Sequence, residues 1–562
     1  MNSPAIHHAP VIIIGGGPVG MMLALFLDYH GVRSLIVNRD KETRLHPKGN
    51  THNSRTMEHY RRVGISAAIR KLGLPSTYPR DITYFTRLNS WELVRFSMPS
   101  EQQRAVIARD DDVTHQIPEP LLRANQMYVE RYMHNHLNER ENIEVRFGWH
   151  AVSLEQDEAG VNVIIEDSTH SSRRESWRAD YLIGCDGSHS FVRKTLGIGY
   201  QGTDTAIAGF LTGRMFSSHL RIPALHNRIL RGKEAWMYNV MAPGLRMLLI
   251  SLNGKDEFVL LSKPGSETEE PDDQKMIQHI QAGCGEPVDV DIIAHSVWHG
   301  GLAQIAERFS EKRIHLAGDA IHLFSPTGGF GMNTGIDDAS NLAWKLAAVI
   351  QGWAQPGLLA SYEIERRPVA RRNTAAARQL TQRASRLKIP GDIEIAESPA
   401  AHRSRLEFGQ ALQVFRSQFS SPGIELGARY DQSPLICTDG ERPPFDNLHD
   451  YQPDSTPGGR LPHIWVEDAK GHRRSLFDLL GSGFSLLRIG ADAPDVSDFL
   501  RVAKKRGIPL KIIELPAPDA LSLYRYPLLL IRPDQYICWR GNDNPENTDS
   551  LFSRVTGSKM SE

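Results

Sequence analysis

Val11-Ile12-Ile13-Ile14-Gly15-Gly16-Gly17-Pro18-Val19-Gly20 stands near the amino end of this chain, and Met21 to Tyr29 (MMLALFLDY) follows directly. A short β-branched run suits a parallel strand buried on both faces, and the apolar nine-mer suits a buried helix. Gly31 ends that helix, and Ser34-Leu35-Ile36-Val37 supplies a second strand. A GxGxxG alone is weak evidence, because structural glycine turns share it. The strand–turn–helix–strand context gives the glycines separate tasks. Gly15 permits a tight turn, Gly17 with Pro18 lets backbone approach a pyrophosphate, and Gly20 allows close helix–strand packing. The helix start offers free N–H groups and a positive dipole end to phosphates. A dinucleotide site is expected here.

The end of the second strand usually carries a carboxylate for the ribose hydroxyls. Here Asn38 stands there, followed by Arg39. An amide oxygen still accepts a hydrogen bond, without charge assistance. Asn38 and Arg39 are therefore candidate cofactor contacts, against the plain alternative of a polar strand end.

At 562 residues the chain exceeds one hydrophobic core, so two or three domains are expected. Lys plus Arg number 65 against 66 for Asp plus Glu, which leaves no charge footprint for nucleic acid or an anionic membrane. The four cysteines (Cys185, Cys284, Cys437, Cys538) lie far apart, which argues against a disulfide framework or zinc site and for a reducing, cytoplasmic setting. No targeting segment or apolar run of membrane-spanning length is visible, so a soluble protein is expected.

Two later segments separate flavin from nicotinamide. Tyr181-Leu182-Ile183-Gly184-Cys185-Asp186-Gly187 reads as a strand running into a turn. Arg313-Ile314-His315-Leu316-Ala317-Gly318-Asp319 is a second such strand, leading to Pro326-Thr327-Gly328-Gly329-Phe330-Gly331-Met332-Asn333 and a helix over 335–350. With Arg55-Thr56-Met57-Glu58, Gln126 and Glu130 in NQMYVE, Trp344-Lys345-Leu346, and Arg366-Arg367-Pro368, these ordered motifs resemble the class A flavoprotein aromatic hydroxylases across residues 8–375. That group includes p-hydroxybenzoate hydroxylase, phenol hydroxylase and 2-hydroxybiphenyl 3-monooxygenase.

The resemblance implies FAD as cofactor and NADPH or NADH as transient reductant. It implies capture of dioxygen as a flavin carbon-4a hydroperoxide and transfer of one oxygen atom to an aromatic, phenolic ring. Asp319 would hold the ribityl chain, while Asp186 and Gly187 would serve FAD and the reductant. Arg55 and Gln126 join the cofactor set. Gly328, Gly329 and Gly331 would let backbone approach the flavin, with Pro326 stiffening the loop beside the ring. Met332 and Asn333 would start a helix whose positive end faces the flavin. His322 is open between a catalytic and a core role. No metal is called for.

Relatives place Asp or His five residues before the Arg of Arg-Thr-Met-Glu, to ionise the substrate hydroxyl. Here that position is Asn50, which cannot act as a base, so His52 is the substitute candidate. Residues 206–298 read as strands of a substrate domain, with an Asn253-Gly254 hairpin turn. Trp236, Tyr238 and Trp298 are candidates to line a flat apolar pocket, although aromatics at such spacing are more often core.

The fold expected is α/β: a Rossmann-type FAD-binding domain interleaved with a β-sheet substrate domain, plus a thioredoxin-like α/β domain at the carboxyl end. The FAD-binding part covers 1–80, 105–200 and, with helices, 301–420. Substrate strands occupy 81–104 and 201–300, a linker or wrap 421–460, and the last domain 461–562. The last domain resembles the tail of phenol hydroxylase-type members but lacks a CxxC, so structural support or subunit contact is expected of it. Expected partners are an aromatic small molecule and dioxygen, with a homodimer left open. Two rival readings remain: oxygenation of a polyketide or other secondary metabolite (hydroxylation or Baeyer–Villiger insertion), and a flavin-binding protein without turnover.

Overall fold

The computed structural model describes residues 6–110, 112–203, 210–385, 387–467 and 470–558. Its first sheet is doubly wound. Strands Ile6–Ile14, Ser34–Asn38, Ile143–Phe147, Arg174–Gly184 and Ile314–Leu316 run parallel, with Ile6–Ile14 in the middle. Val11 to Ile14 are buried because both faces are covered. Helices Pro18–Tyr29 and Phe330–Ile350 contribute Met21, Phe26, Ile336 and Leu342 to the same core, and the antiparallel strands Trp149–Gln156 and Val161–Asp167 contribute Leu154 and Val163.

A seven-stranded sheet forms the second layer, in the order Asp291–Gly300, Gly213–Arg221, Glu257–Ser262, Leu245–Ser251, Met237–Ala242, Ile82–Phe85, Glu92–Phe96. Helix Asp273–Cys284 covers one face with Met276 and Ile280. The Asn253-Gly254 turn joins an antiparallel pair, and its loop runs longer than the two-residue form. The Asn253 carboxamide oxygen accepts from the backbone N–H of Lys255, Asp256 and Glu257, and Gly254 takes φ +70°. The chain therefore crosses from the first sheet to the second and back twice, which is the interleaving expected.

The carboxyl-terminal unit is a four-stranded thioredoxin-like sheet in the order Leu510–Leu515, Phe484–Ile489, Leu528–Ile531, Ile537–Gly541. Cys538 is buried there, and burial pushes its thiol well above the ordinary range, so it is a core side chain. Residues 421–460 wrap rather than dangle: Tyr430, Leu435 and Ile436 are buried against the last unit.

Charges, as well as apolar contacts, join that unit to the first sheet. The Glu365 carboxylate takes Arg532 at 2.6 Å and 2.8 Å and Lys345 at 2.7 Å, all three side chains fully buried. Arg532 also grips Asp534, and Arg366 bridges Asp337 and Asp338 on the long helix. Arg532 with Lys345, and Arg366, hold the carboxylates of Glu365 and Asp337 respectively far below the ordinary range, against the opposing effect of burial. A carboxylate so depressed adds stability in full above its unfolded pKa of about 4 and loses it as the pH falls. Arg532→Ala should therefore cost about 3–5 kcal/mol, because it strands buried carboxylates. Chemical unfolding checks this, and the loss should shrink in acid as those carboxylates protonate.

Candidate active site

Three parallel strands end side by side, so the three motifs share one edge. Gly15 N–H bonds Val37 O, Cys185 N–H bonds Ile14 O, and Ala317 N–H bonds Gly184 O. In open α/β sheets that carboxyl edge is where ligands bind. Gly15, at φ +114°, lies so near the neighbouring strand that a Cβ there would meet Cys185 O at 2.3 Å. A Cβ on Gly20 would meet Gly15 O at 2.0 Å, whereas one on Gly17 would meet nothing within 4 Å. Pro18 begins the helix, whose first N–H groups carry no side-chain cap. Gly187 likewise faces open space. These are the openings a pyrophosphate and its sugars need.

Asn38 lies beside this turn, its carboxamide oxygen accepting from Gly16 N–H at 3.0 Å, while Arg39 is exposed. Asn38 thus braces the glycine loop itself. Asp186 accepts from Ser190 Oγ at 2.5 Å and Val192 N–H at 3.1 Å, which fixes the turn at Gly187. Tyr200 donates to Asp319 O at 2.5 Å and accepts from Arg193 at 2.7 Å, tying the two later motifs together.

The Asp319 side chain is accessible in the cleft and has no hydrogen-bond partner among the described residues. Protein around it raises its pKa, partly offset by His322, Lys48 and Arg44. An accessible carboxylate of this kind suits ribityl hydroxyl donors. Arg44 and Lys48 escaped the sequence reading, and their only signal is a charged run, Lys41 to Lys48, that looks like solvated loop.

In the glycine-rich loop Pro326 and Gly329 are exposed, Gly328 and Gly329 hold left-handed φ, and Gly331 is open except for Phe324 and Asp319 near 3.6–3.9 Å. Met332 packs partly into the first core. Two cofactor candidates prove to be internal braces. The Asn333 carboxamide donates to Thr51 O and Gly329 O and accepts from Asn53 N–H, so its side chain is taken up within the protein. Arg55 turns the other way, to Glu58 at 2.9 Å, Gln535 at 2.9 Å and Asp534 O at 2.8 Å, and so anchors the last unit. Gln126 donates its backbone N–H to Gly49 O and its side chain to Glu130.

The base candidates also resolve. Asn125 Nδ2 holds Asn50 Oδ1 at 2.7 Å, and Asn50 in turn donates to Lys48 O. His52 alternates away from Thr51 and is fully buried. It bonds Tyr60 OH at 3.0 Å, and burial lowers its pKa to about 4. In this structure His52 is packed as a core residue. So is His322, bonded to Asp338 at 2.6 Å.

A hydrogen bond from loop residue His46 to Ser217, 2.9 Å, marks the face of the seven-stranded sheet that turns toward the motifs. Strand pairing puts Leu261, Leu248 and Asn239 in that row and Trp298 with Ser296 at its edge. His219, Glu257 and Tyr128 form a polar chain on the same face, at 2.8 Å and 3.0 Å. Trp236 belongs to this side, packed beneath Arg123. Tyr238 does not. It lies among Phe85, Leu249 and Met276 on the helix-covered face, on the other side of the sheet from that row.

The fold and this edge define a flavin-dependent oxygenase. Residues 8–377 match the FAD binding domain family, and residues 454–558 match the aromatic-ring hydroxylase C-terminal domain. The FAD-dependent monooxygenase apdD of Emericella nidulans is 31% identical over 99% of this chain and 92% of its own. The 2,4-dichlorophenol 6-monooxygenase of Delftia acidovorans is 30% identical over 96% of both. The structure of RebC with bound 7-carboxy-K252c superposes with a TM-score of 0.87 at 32% identity, covering 99% of this chain and all of that one. The chain belongs to the FAD-dependent aromatic-ring monooxygenases. Among its described residues no helix is long and apolar enough to cross a membrane.

Gly17→Val and Gly20→Val separate cofactor loss from folding loss. G17V should leave apoprotein stability near wild type and weaken FAD binding about 10- to 100-fold, the worth of one or two charge-assisted contacts. G20V should destabilise the apoprotein as well. Fluorescence titration with FAD, beside thermal unfolding of both apoproteins, gives the readings.

Proposed function

We propose that this monooxygenase hydroxylates a flat, multi-ring aromatic that carries a phenolic hydroxyl, with NADPH or NADH as reductant. Bound FAD supplies the activation of dioxygen; the chain supplies binding, orientation and exclusion of water. Gly17 and Pro18 at the helix start would take the pyrophosphate, Asn38 and Arg39 would border the adenosine ribose, and Asp319 would hold ribityl hydroxyls. Backbone from Pro326 to Met332 would lie against the ring system. Asp186 and Gly187 border the remaining opening, beside which the reductant would pass.

The carrying observation is the face of the seven-stranded sheet marked by the His46–Ser217 bond. Four adjacent strands present Ser217, Leu261, Leu248 and Asn239 in one row. Strands about 4.8 Å apart make such a row roughly 14 Å long, more than a single ring needs. Trp298 at its edge and Trp236 nearby add flat surface. Similarity to a putative polyketide hydroxylase of Streptomyces halstedii, 31% identical, supports the same choice. Oxygen insertion beside a ketone is the second reading, favoured by the lack of a base at Asn50 and His52.

NADPH and NADH oxidation by the FAD-loaded protein, with single-ring phenols, polycyclic phenols and ketones, tests this with labelled dioxygen and peroxide scored together. Coupled ring hydroxylation of a polycyclic phenol is the expected result. A lactone or ester product would favour the second reading, and no stimulation by any aromatic would overturn the first. His52→Gln should change kcat/KM less than about threefold while costing about 1–2 kcal/mol of stability, as loss of a buried hydrogen bond does. A thousandfold fall in turnover would restore His52 as a base.

A further inference from the structure

Buried arginines in this protein are held either by carboxylates or, as at Arg193 and Arg405, by neutral oxygens. Arg366, Arg460, Arg532 and Arg55 each sit on a carboxylate within hydrogen-bond distance. Arg80, Arg123 and the half-buried Arg104 do not. Among the described residues none of these three has a carboxylate at ion-pair distance, and neutral oxygens hold them all. Arg104 donates to the carbonyls of Pro99 and Leu121, and Arg80 to those of Leu74 and Arg123.

Arg123 is the member nearest the cleft. It is 4% exposed, its guanidinium lies 4.0 Å above the Trp236 ring, and Nη2 donates to Phe419 O at 3.0 Å. Nη1 donates to the Thr51 hydroxyl, and buried Nε has no partner. Thr51 pairs with Arg123 across a two-stranded ladder. It also touches the glycine-rich loop: its carbonyl accepts from Asn333 at 3.1 Å, and a Cβ on Gly329 would lie 3.5 Å from its Cβ.

From this geometry we infer that Arg123 is a positioning residue for charge, holding an uncompensated positive charge behind Thr51 that favours negative charge on the flavin over residues 326–333. A buried cation without a counter-ion is stabilised by an anion arriving nearby, since burial leaves the field poorly screened. Burial lowers the Arg123 pKa to about 9 and that of Arg80 to about 10, as such a deficit requires. The carboxylate in the vicinity, Glu425, is engaged by Ser54 N–H at 2.9 Å and offsets the deficit only in part. The reduced flavin and its sulfite adduct both carry negative charge, so both report on this field.

The inference rests on the flavin lying over that loop, and the experiment separates the two. The bound-FAD midpoint potential and the sulfite dissociation constant are measured in wild type, R123Q, R123K, R80Q and G331V. R123Q should weaken sulfite binding about tenfold and lower the potential by about 30 mV, the equivalent for a two-electron couple. R123K, which keeps the charge, should stay near wild type, and R80Q should shift the same way by less. Equal shifts in R123Q and R123K, or no shift in R123Q, would overturn the charge role. If R123Q does not fold, R80Q carries the test, and an unchanged potential there overturns the inference. Undisturbed FAD binding in G331V would instead overturn the placement of the flavin.

Discussion

Arg366 never meets water, yet it lies between two carboxylates, Asp337 and Asp338, on the helix that begins at the glycine-rich loop. Much else hangs on that clamp. Asp338 also receives His322 and reaches Gly318 N–H at 3.4 Å, one residue before Asp319. Asp337 takes His59 at 2.9 Å and lies 3.6 Å from Arg55, which runs on to Asp534 and Gln535 of the last unit. A single chain of buried charges thus joins the carboxyl-terminal turn to the floor of the cleft. In a poorly polarisable interior each member is stable only while its neighbours stay in place, so the chain fixes position as well as contributing energy. That gives the thioredoxin-like unit, which carries no CxxC, a physical task.

The neutral-oxygen arginines make the contrast. Around Arg366 positive and negative charge balance within a few ångströms. Around Arg123 they do not, and the imbalance lies next to the loop where a redox group is expected. The same side chain therefore serves as a fastener in one place and as a field in the other, the difference lying in whether a carboxylate completes it.

How much of this was legible in the sequence follows from how local each signal is. The first glycine turn, the two later strand–turn motifs and the interleaved sheets could be read, because glycine placement and β-branched runs are local properties. Strand Phe484–Ile489 fell where its run predicts for the same reason. The direction of a side chain is not local. Arg55 and Asn333 carry motif identities but point into protein, since partners 480 and 282 positions away claim them. Tyr238 and Met237 differ only by the sheet's alternation, which no pattern of aromatics reveals. Arg44 and Lys48 stand in a run that looks like solvated loop, and Arg123 gave no signal, because its meaning depends on which carboxylates fail to come near.

Interleaving also sets a timetable. Ile6–Ile14 gains one parallel neighbour early, at Ser34–Asn38, and the other at Arg174–Gly184, whose last residues Leu182–Gly184 gain their own outer partner only at Ile314–Leu316; the helix that roofs them ends at Ile350. A ribosome must therefore release well over half of the polypeptide before the first sheet closes, and pairings so remote in sequence form slowly. Until then the carboxyl end of Arg174–Gly184 lacks its outer partner, and the apolar face under the long helix is uncovered. The buried charges of the last unit come later still, at residues 532–536. For this protein the nascent stage, rather than the finished fold, is where chaperones have most to protect.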